Sequence, residues 1–291
     1  MKAELVLDAK ATLGEGPAWD AKTQTLYWVD ILEKRIYAGT ELLAQLDDII
    51  GCLAPCKNGN LILGKRLSLV DLQPFDQTQG KPASSRQTIL SALSDSALNR
   101  INDGKCDPAG RFLVGTMDIE EKETRGSLYS FDGMQATQLM DGIRIANGLA
   151  WSPDHKTFYY IDTFTRVVRA FDYDPGTGQI ANPRAALRVP EALGWPDGMT
   201  SDKDGNLWIA MWGGAQVTKW DPNTGQLLES IPVPALQTSS CVFGGKGMNE
   251  LYVTSAQVGM SEADLKKYPL SGGLFKVDTK CEGMPTFEFG M

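Results

Sequence analysis

The sequence contains a single histidine, and this scarcity excludes several kinds of enzyme. The residue, His155, stands in the polar turn Ser152-Pro153-Asp154-His155-Lys156. A Ser-His-Asp hydrolase needs a histidine base, and a catalytic zinc site normally takes two or three histidine ligands. We therefore expect His155 to be an exposed turn residue. Hydrolytic chemistry in this chain would have to use carboxylates, amides and a metal ion.

Other absences limit which binding partners and which cellular location we expect. The chain has no cluster of lysine and arginine and a net charge of −8, which argues against nucleic acid and against an anionic membrane surface. It has no apolar run long enough for a signal peptide or a membrane span. The five cysteines are odd in number and include no C-x-x-C pair, so we expect reduced thiols and a cytoplasmic protein.

What the sequence does contain is a repeated short β-type run that follows a polar turn. The period is about 35–51 residues, and periods of this size are typical of solenoids and propellers. Asn-Gly, Asp-Gly and Pro-Asp turns precede several runs and favour hairpins. The six runs are Leu26–Asp30, Leu61–Gly64, Phe112–Thr116, Phe158–Asp162, Leu207–Met211 and Leu251–Ser255.

Further short strands before and after each run complete the pattern. Strand–turn–strand repeated six times predicts an all-β fold, a six-bladed β-propeller with four-stranded antiparallel blades around a central channel. We expect residues 1–291 to form a single domain, with Glu4–Leu7 completing the last blade beside Gly273–Val277 and removing a free edge. The least regular stretch, Gln73–Leu98, is expected to be a surface loop, and Glu262–Lys267 one short helical turn.

Oxygen-bearing side chains stand just before the innermost strand in five repeats. Because all inner strands of a propeller begin at one face of the channel, these positions should converge. In four of the repeats a glycine follows closely and permits a tight backbone turn. The positions are Glu15 in Leu13-Gly14-Glu15-Gly16-Pro17, Asn102 in Arg100-Ile101-Asn102-Asp103-Gly104, Asn147 in Ala146-Asn147-Gly148, Asp197 in Trp195-Pro196-Asp197-Gly198, and the pair Ser239-Ser240.

Three of these side chains suit a hard cation. Glu15, Asn147 and Asp197 offer two negative charges and one amide oxygen, which are ligands preferred by calcium, magnesium or manganese. So few protein ligands leave positions for water and substrate. Asp103 and Lys105 flank the site, and we expect them to pair with each other.

The ordered set of motifs resembles one family, that of the senescence marker protein (regucalcin), gluconolactonase and luciferin-regenerating enzyme. The resemblance covers nearly the whole chain and is nearest to bacterial sugar aldonolactonases. The motifs are Leu13-Gly14-Glu15-Gly16-Pro17, Asn99-Arg100-Ile101-Asn102-Asp103-Gly104-Lys105, Gly115-Thr116-Met117, Gly126-Ser127-Leu128-Tyr129, Asn147-Gly148-Leu149-Ala150-Trp151-Ser152 and Pro196-Asp197-Gly198-Met199.

The resemblance implies a six-bladed propeller and a metal site. Its metal ligands fall on Glu15, Asn147 and Asp197, and its acid/base role falls on Asp197. The implied cofactor is one divalent metal ion, calcium in the first place, with zinc, magnesium, manganese or iron as alternatives.

The resemblance also implies the substrate and the residues that contact it. Hydrolysis of a sugar aldonolactone, of the gluconolactone or xylonolactone kind, to the aldonic acid is the expected reaction. The substrate-contacting positions fall on Arg100, Asn102 and Glu120, with Glu121 as the alternative to Glu120. Besides this small-molecule lactone we expect no nucleic-acid and no membrane partner.

Two other functions compete with the lactonase. One is a phosphotriesterase-like metal hydrolase, and the other is a non-catalytic calcium-binding propeller. Arg100, Asn102 and Glu120 form a polar set that favours a sugar lactone, whereas a phosphotriester pocket should be mostly apolar. The preferred lactone and the oligomeric state stay open.

Overall fold

The chain folds into six four-stranded antiparallel sheets arranged as a six-bladed β-propeller, which confirms the predicted fold class. The computed structural model describes residues 1–75 and 82–290. Within each blade the inner strand, which lies against the channel, precedes the blade's second, third and outermost strands, and only β1 joins its blade out of chain order. The chain begins with β1 (Ala3–Leu7); blade 1 contains β2 (Gly14–Asp20), β3 (Thr25–Asp30), β4 (Arg35–Ala38) and β5 (Glu41–Gln45), and blade 2 contains β6 (Ile50–Pro55), β7 (Leu61–Lys65), β8 (Ser68–Phe75) and β9 (Pro82–Ala92). Blade 3 contains β10 (Asn99–Cys106), β11 (Phe112–Asp118), β12 (Gly126–Phe131) and β13 (Ala136–Ile143), and blade 4 contains β14 (Ala146–Trp151), β15 (Thr157–Asp162), β16 (Val167–Tyr173) and β17 (Ile180–Arg188). Blade 5 contains β18 (Trp195–Ser201), β19 (Leu207–Trp212), β20 (Gln216–Asp221) and β21 (Gln226–Pro232), and blade 6 contains β22 (Gln237–Gly244), β23 (Glu250–Ala256) and β24 (Leu274–Asp278).

The hydrophobic runs of the repeat form the second strand of every blade, as the pattern predicts. In β7, Leu61 and Leu63 pack against blade 1, whereas Ile62 between them packs against blade 3. Successive side chains of a strand point to opposite faces, and here each face is covered by a neighbouring blade. This explains why the runs are continuously hydrophobic rather than alternating. One hydrophobic cluster fills each interface between neighbouring blades and holds the ring together.

The first strand of the chain closes the ring, as the sequence predicts. β1 pairs antiparallel with β24, and Leu5 lies opposite Phe275. Blade 6 is therefore built from both ends of the propeller, in the order β22, β23, β24, β1. This pairing covers an edge of β24 that would otherwise expose unpaired backbone groups.

The expected surface loop at Gln73–Leu98 is wrong for most of its length. β8 continues through Phe75, and Pro82–Ala92 form β9, the outermost strand of blade 2. Only residues 76–81 of the expected loop lie outside the described residues. An outer strand borders solvent, so it tolerates polar side chains and a proline at its first residue. For this reason the sequence of the strand shows no continuous hydrophobic run and predicts a loop.

Helical structure is confined to short elements among the described residues. The one α-helix, α1 (Glu262–Lys267), begins with a capping box in which Ser261 and Asp264 bond each other's backbone. Thr163–Thr165 and Glu191–Leu193 form single-turn 3-10 helices. None of the described helices is long and apolar enough to cross a membrane.

The segment after β24 crosses the end of the channel where the inner strands terminate. The backbone amide of Met284 donates to the carbonyl of Ser201 at 3.0 Å, and that of Phe289 donates to the carbonyl of Pro55 at 2.8 Å. Ser201 ends β18 and Pro55 ends β6. The C-terminal segment thus covers this end of the channel and leaves the opposite end, where the inner strands begin, for the candidate site.

His155 lies at the covered end as well. Its ring meets the ring of Phe287 edge-on, with 5.3 Å between centroids, and the residue is partly buried rather than fully exposed as expected. The C-terminal segment could not be placed against this turn from sequence alone. The histidine is therefore far from the first residues of the inner strands, and the chemistry of the candidate site does not involve it.

Candidate functional site

Every inner strand has a β-bulge near its first residues. A bulge inserts an extra residue on one strand and re-aims the side chains beside it. Because the bulges occupy equivalent positions in the six blades, they turn side chains from all around the ring toward one end of the channel. The register with the second strand shifts at Glu15/Ala18, Ile50/Cys52, Ile101/Gly104, Asn147/Leu149, Pro196/Met199 and Thr238/Ser240.

Glycines next to the candidate ligands allow the inner strands to approach one another. Gly148 follows Asn147 and has a positive φ of 30°. A Cβ atom on Gly148 would lie 2.8 Å from the backbone oxygen of Asp197 on the next inner strand. Side chains at this position would push β14 and β18 apart. The glycine that follows Asn147 in the sequence motif is thus required by the contact between blades.

Hydrogen bonds join three of the predicted site residues directly. Arg100 Nη1 donates to Asn102 Oδ1 at 2.6 Å, and Asn102 Nδ2 donates to Asn147 Oδ1 at 3.0 Å. Asn147 Nδ2 in turn donates to Thr163 Oγ1 at 2.8 Å. Thr163 could not be found from the sequence, because it belongs to the loop after β15 and to none of the motifs.

Two buried carboxylates complete the predicted set. Glu15 is 6% exposed and Asp197 is 5% exposed. Burial, together with repulsion from Asp103, raises the pKa of Glu15 to about 8. Burial, with repulsion first from Glu15 and then from Asp103, raises the pKa of Asp197 well above its ordinary range. The charge of Glu15 therefore disfavours ionisation of Asp197.

Asp103 is a third buried carboxylate at the same end of the channel. It is 7% exposed, and its pKa is raised by burial although Lys105 opposes the shift. The expected pairing of these two residues takes the form of a charge interaction rather than a direct ion pair, since each is the main charge acting on the pKa of the other. Lys105 Nζ donates to the backbone oxygen of Met199 at 2.7 Å, and no ion pair within 4.0 Å joins it to Asp103 among the described contacts. Asp103 thus adds a third buried carboxyl group, whose charge acts on Glu15 and Asp197.

The positive charge at this end comes from Arg100, which is 7% exposed. Burial lowers the pKa of its guanidinium to about 10, while Glu121, Glu15 and Asp197 act in the opposite direction. The guanidinium therefore remains charged at neutral pH, and the charges of these three residues stabilise it. It can donate hydrogen bonds to an oxygen-rich ligand at the mouth of the channel.

Glu120 does not join this group. Its carboxylate pairs with Lys122 Nζ at 2.9 Å, and both side chains are about 70% exposed. Glu121 has a positive φ of 60°, and its charge acts on Arg100 and Asp197. Both residues are exposed, so what distinguishes them is that the charge of Glu121 acts on Arg100. Contact of Glu120, or of its alternative Glu121, with a substrate stays a prediction.

The residues present fit a hard divalent cation. Two buried carboxylates repel each other, and the third candidate ligand presents an amide oxygen, so the donor set is all oxygen and carries an excess of negative charge. No group of three or more His, Cys, Asp or Glu arranged for a metal occurs in residues 1–75 and 82–290, which is compatible with a site whose third ligand is the amide of Asn147. Binding of one ion by all three residues stays a prediction.

The fold and this end of the channel define a class: a six-bladed propeller with an oxygen-lined, carboxyl-rich site where its inner strands begin. A family model described as the SMP-30/Gluconolactonase/LRE-like region matches residues 13–257. The chain belongs to this family, as its motifs predict. Membership supports a lactonase-type or a calcium-binding propeller function.

Individual relatives cover almost the full length. Regucalcin of Danio rerio is 35% identical over 300 residues, which span 99% of this chain and 98% of that protein. A luciferin-regenerating enzyme of known structure has a TM-score of 0.90 at 32% identity and covers 99% of both chains. A calcium-binding protein, regucalcin, from Agrobacterium tumefaciens str. C58 also has a TM-score of 0.90, at 26% identity over 99% of this chain and 97% of that one.

Proposed function

We propose that this protein hydrolyses a sugar aldonolactone, of the gluconolactone or xylonolactone kind, to the aldonic acid and uses one divalent metal ion. The observation that supports the proposal is that Glu15 and Asp197 are both buried with raised pKa values, on the inner strands of a ring whose inner strand β14 also carries the hydrogen-bonded amide of Asn147. Charged groups of one sign are costly to bury together. The family model that matches this chain has gluconolactonase in its description. Hydrolysis of a lactone is a reaction for which two buried carboxylates would be kept despite the energy needed to bury them.

Glu15, Asn147 and Asp197 would hold the ion. Their all-oxygen chemistry favours calcium, and magnesium or manganese have the same preference. Zinc and iron remain alternatives with weaker support, since the site has no histidine or thiol ligand. A bound divalent cation would polarise the lactone carbonyl and offset the charge that develops on its oxygen.

Asp197 is the proposed acid/base group. Asp197 is buried, and burial together with Glu15 raises its pKa and favours the protonated form. A divalent cation bound there would favour the ionised form. Ionised Asp197 can accept a proton from the attacking water and return it to the ring oxygen when the lactone bond breaks. One hydrogen of the water thus becomes the hydrogen of the product hydroxyl, and the other leaves as a proton when the new carboxylic acid ionises.

Arg100 and Asn102 are the proposed substrate contacts. Arg100 uses Nη1 for Asn102 Oδ1 and the carbonyl of Ile101, and its other guanidinium hydrogens face no protein partner in the described contacts. They can donate to the hydroxyl or ring oxygens of a sugar. Glu121 replaces Glu120 as the proposed third contact because its charge acts on Arg100.

A non-catalytic calcium-binding propeller is the competing function. It is favoured by the structural neighbour described as a calcium-binding protein, and it needs the same three ligands. It does not explain the buried Arg100 above them. A phosphotriesterase-like function has less support, since a phosphotriester calls for an apolar pocket and this end of the channel is charged.

The test is a pH-stat assay on aldono-1,4- and aldono-1,5-lactones with metal-stripped protein, before and after calcium, magnesium, manganese or zinc is added back. We expect acid release that requires a metal and fails with Asp197→Ala. A matched control is Asp174→Ala, an exposed turn carboxylate far from the channel. Calcium binding without any lactone turnover would instead establish the non-catalytic function.

A further inference from the structure

Four hydrogen bonds form a chain across three blades at the candidate site. The chain begins at Arg100 in blade 3, passes through Asn102 to Asn147 in blade 4, and continues through Thr163 to the backbone oxygen of Pro196 in blade 5. The last two distances are 2.8 Å from Asn147 Nδ2 to Thr163 Oγ1 and 3.0 Å from Thr163 Oγ1 to the Pro196 oxygen. Pro196 immediately precedes Asp197, so the chain connects two proposed metal ligands.

The two ends of the chain determine its direction. A guanidinium can only donate and a carbonyl oxygen can only accept. Asn102 therefore receives from Arg100 through Oδ1 and donates through Nδ2, both of whose hydrogens go to blade 4: one to Asn147 Oδ1 and one to the backbone oxygen of Ala146 at 2.9 Å. It follows that Asn147 accepts through Oδ1 and must donate through Nδ2.

Thr163 is the acceptor for that donated hydrogen. It is 8% exposed, and Asn147 is 4% exposed, so water cannot readily replace either partner. If the amide of Asn147 were reversed, its Nδ2 would face Asn102 Nδ2, donor against donor. Thr163 would then have to turn its hydroxyl hydrogen to the amide oxygen and leave the Pro196 oxygen buried without a donor.

We infer that Thr163 is a positioning residue that fixes the amide of Asn147 with its oxygen turned to the metal site. The inference rests on the proposed function, because it takes Asn147 as a ligand. It goes beyond that function in assigning a role to a residue outside all the motifs. Partners behind a ligand commonly orient it and tune its affinity for the metal.

The test measures calcium affinity by isothermal titration calorimetry, independently of any turnover. Thr163→Val keeps the side-chain shape and removes the hydroxyl, so the dissociation constant should rise about 10–100-fold. Thr163→Ser keeps the hydroxyl and should restore the wild-type value. Thermal melting checks that each variant is folded, and Thr163→Ala serves the same test where Thr163→Val does not fold.

Thr218 provides a matched control at a distance from the site. Its buried hydroxyl accepts from Trp220 Nε1 at 2.8 Å and donates to the backbone oxygen of Ile209 at 3.3 Å, which is the same bonding pattern as that of Thr163. Thr218→Val should lower the melting temperature and leave the calcium affinity unchanged. If removing a buried threonine hydroxyl acted only through a general loss of packing, Thr163→Val and Thr218→Val would both weaken calcium binding, or neither would.

A second background isolates the role of the amide. In Asn147→Asp the two carboxylate oxygens are equivalent, so there is no amide direction for Thr163 to set. Adding Thr163→Val to this variant should weaken calcium binding much less than it does in the wild type. Equal losses in both backgrounds, or an unchanged affinity in Thr163→Val alone, would overturn the inference and leave the proposed function standing. Wild-type protein that binds no calcium or other divalent ion would overturn both.

Discussion

Glu15→Gln should stabilise the metal-free protein at alkaline pH even though it removes a proposed metal ligand. The side chain is buried, and its pKa is raised to about 8 by burial and by repulsion from Asp103. Without a cation, ionised Glu15 is a buried charge that also opposes Asp197. Glutamine has nearly the same shape and carries no charge, so it removes this penalty.

The sign and size follow from the difference between the folded and unfolded states. Below pH 4.5 Glu15 is protonated in both states. Between pH 4.5 and 8 the folded state keeps a proton that the unfolded state has released, so stability falls as pH rises. Above pH 8 the loss is complete. A pKa rise from 4.5 to about 8 corresponds to on the order of 5 kcal/mol.

Urea denaturation in the presence of a chelator, at pH 5 and at pH 9, measures the effect. The wild type should lose several kcal/mol more than Glu15→Gln over this interval, and calcium should restore the stability of the wild type alone. Glu41→Gln, an exposed change on β5, controls for the loss of one negative charge. Parallel pH profiles for the wild type and Glu15→Gln would refute the reasoning, because Glu15 would then ionise at its ordinary pKa.

Three further predictions concern catalysis, substrate contact and stability. Asp197→Asn keeps an oxygen ligand but removes the base, so calorimetry should still detect metal binding while kcat falls about 100-fold or more; turnover near the wild-type rate would leave Asp197 as a ligand only. Glu121→Gln should raise KM, whereas Glu120→Gln, which alters a solvent-exposed ion pair, should leave lactone kinetics unchanged. Asp107→Ala should lower the free energy of unfolding by about 3–5 kcal/mol without changing metal affinity, because it strands the buried guanidinium of Arg111, which donates to Asp107 at 2.5 Å.

The blades could be predicted because their second strands are buried on both faces. Such a strand must be hydrophobic at every position, as Leu61, Ile62 and Leu63 are, and the repeat is then visible without an alignment. Outer strands have no such requirement. β9 (Pro82–Ala92) contains exposed Ile89 and polar neighbours, so its sequence does not differ from that of a loop, and its pairing with β8 reveals it.

The site could be predicted as far as it lies on the inner strands. Glu15, Asn147 and Asp197 occupy equivalent places in the repeat, which makes them recognisable together. Thr163 contributes from the 3-10 turn after β15, and Glu121 from a left-handed turn after β11. Loop residues of this kind are placed by tertiary contacts, so neither the position of Thr163 nor the choice between Glu120 and Glu121 could be decided from residue spacing.

The ring offers six equivalent bulges, yet only some of them carry chemical groups toward the channel. At the bulge of blade 2 stands Gly51, where a Cβ atom would overlap the backbone oxygen of Ile101. At that of blade 6 stands Ser239, whose hydroxyl donates to the backbone oxygen of Gly14 and so faces the neighbouring strand.

Gly51 and Ser239 thus lie in the two blades next to that of Glu15, one on each side. The remaining bulges place Asn102, Asn147 and Asp197 on the other side of the channel. The bulge is repeated in all six blades, but the side chains differ: Glu15 has small neighbours in blades 2 and 6, whereas blades 3, 4 and 5 carry three consecutive polar side chains. In an architecture of six repeated blades this inequality separates Glu15 from the other two proposed ligands and makes the site asymmetric.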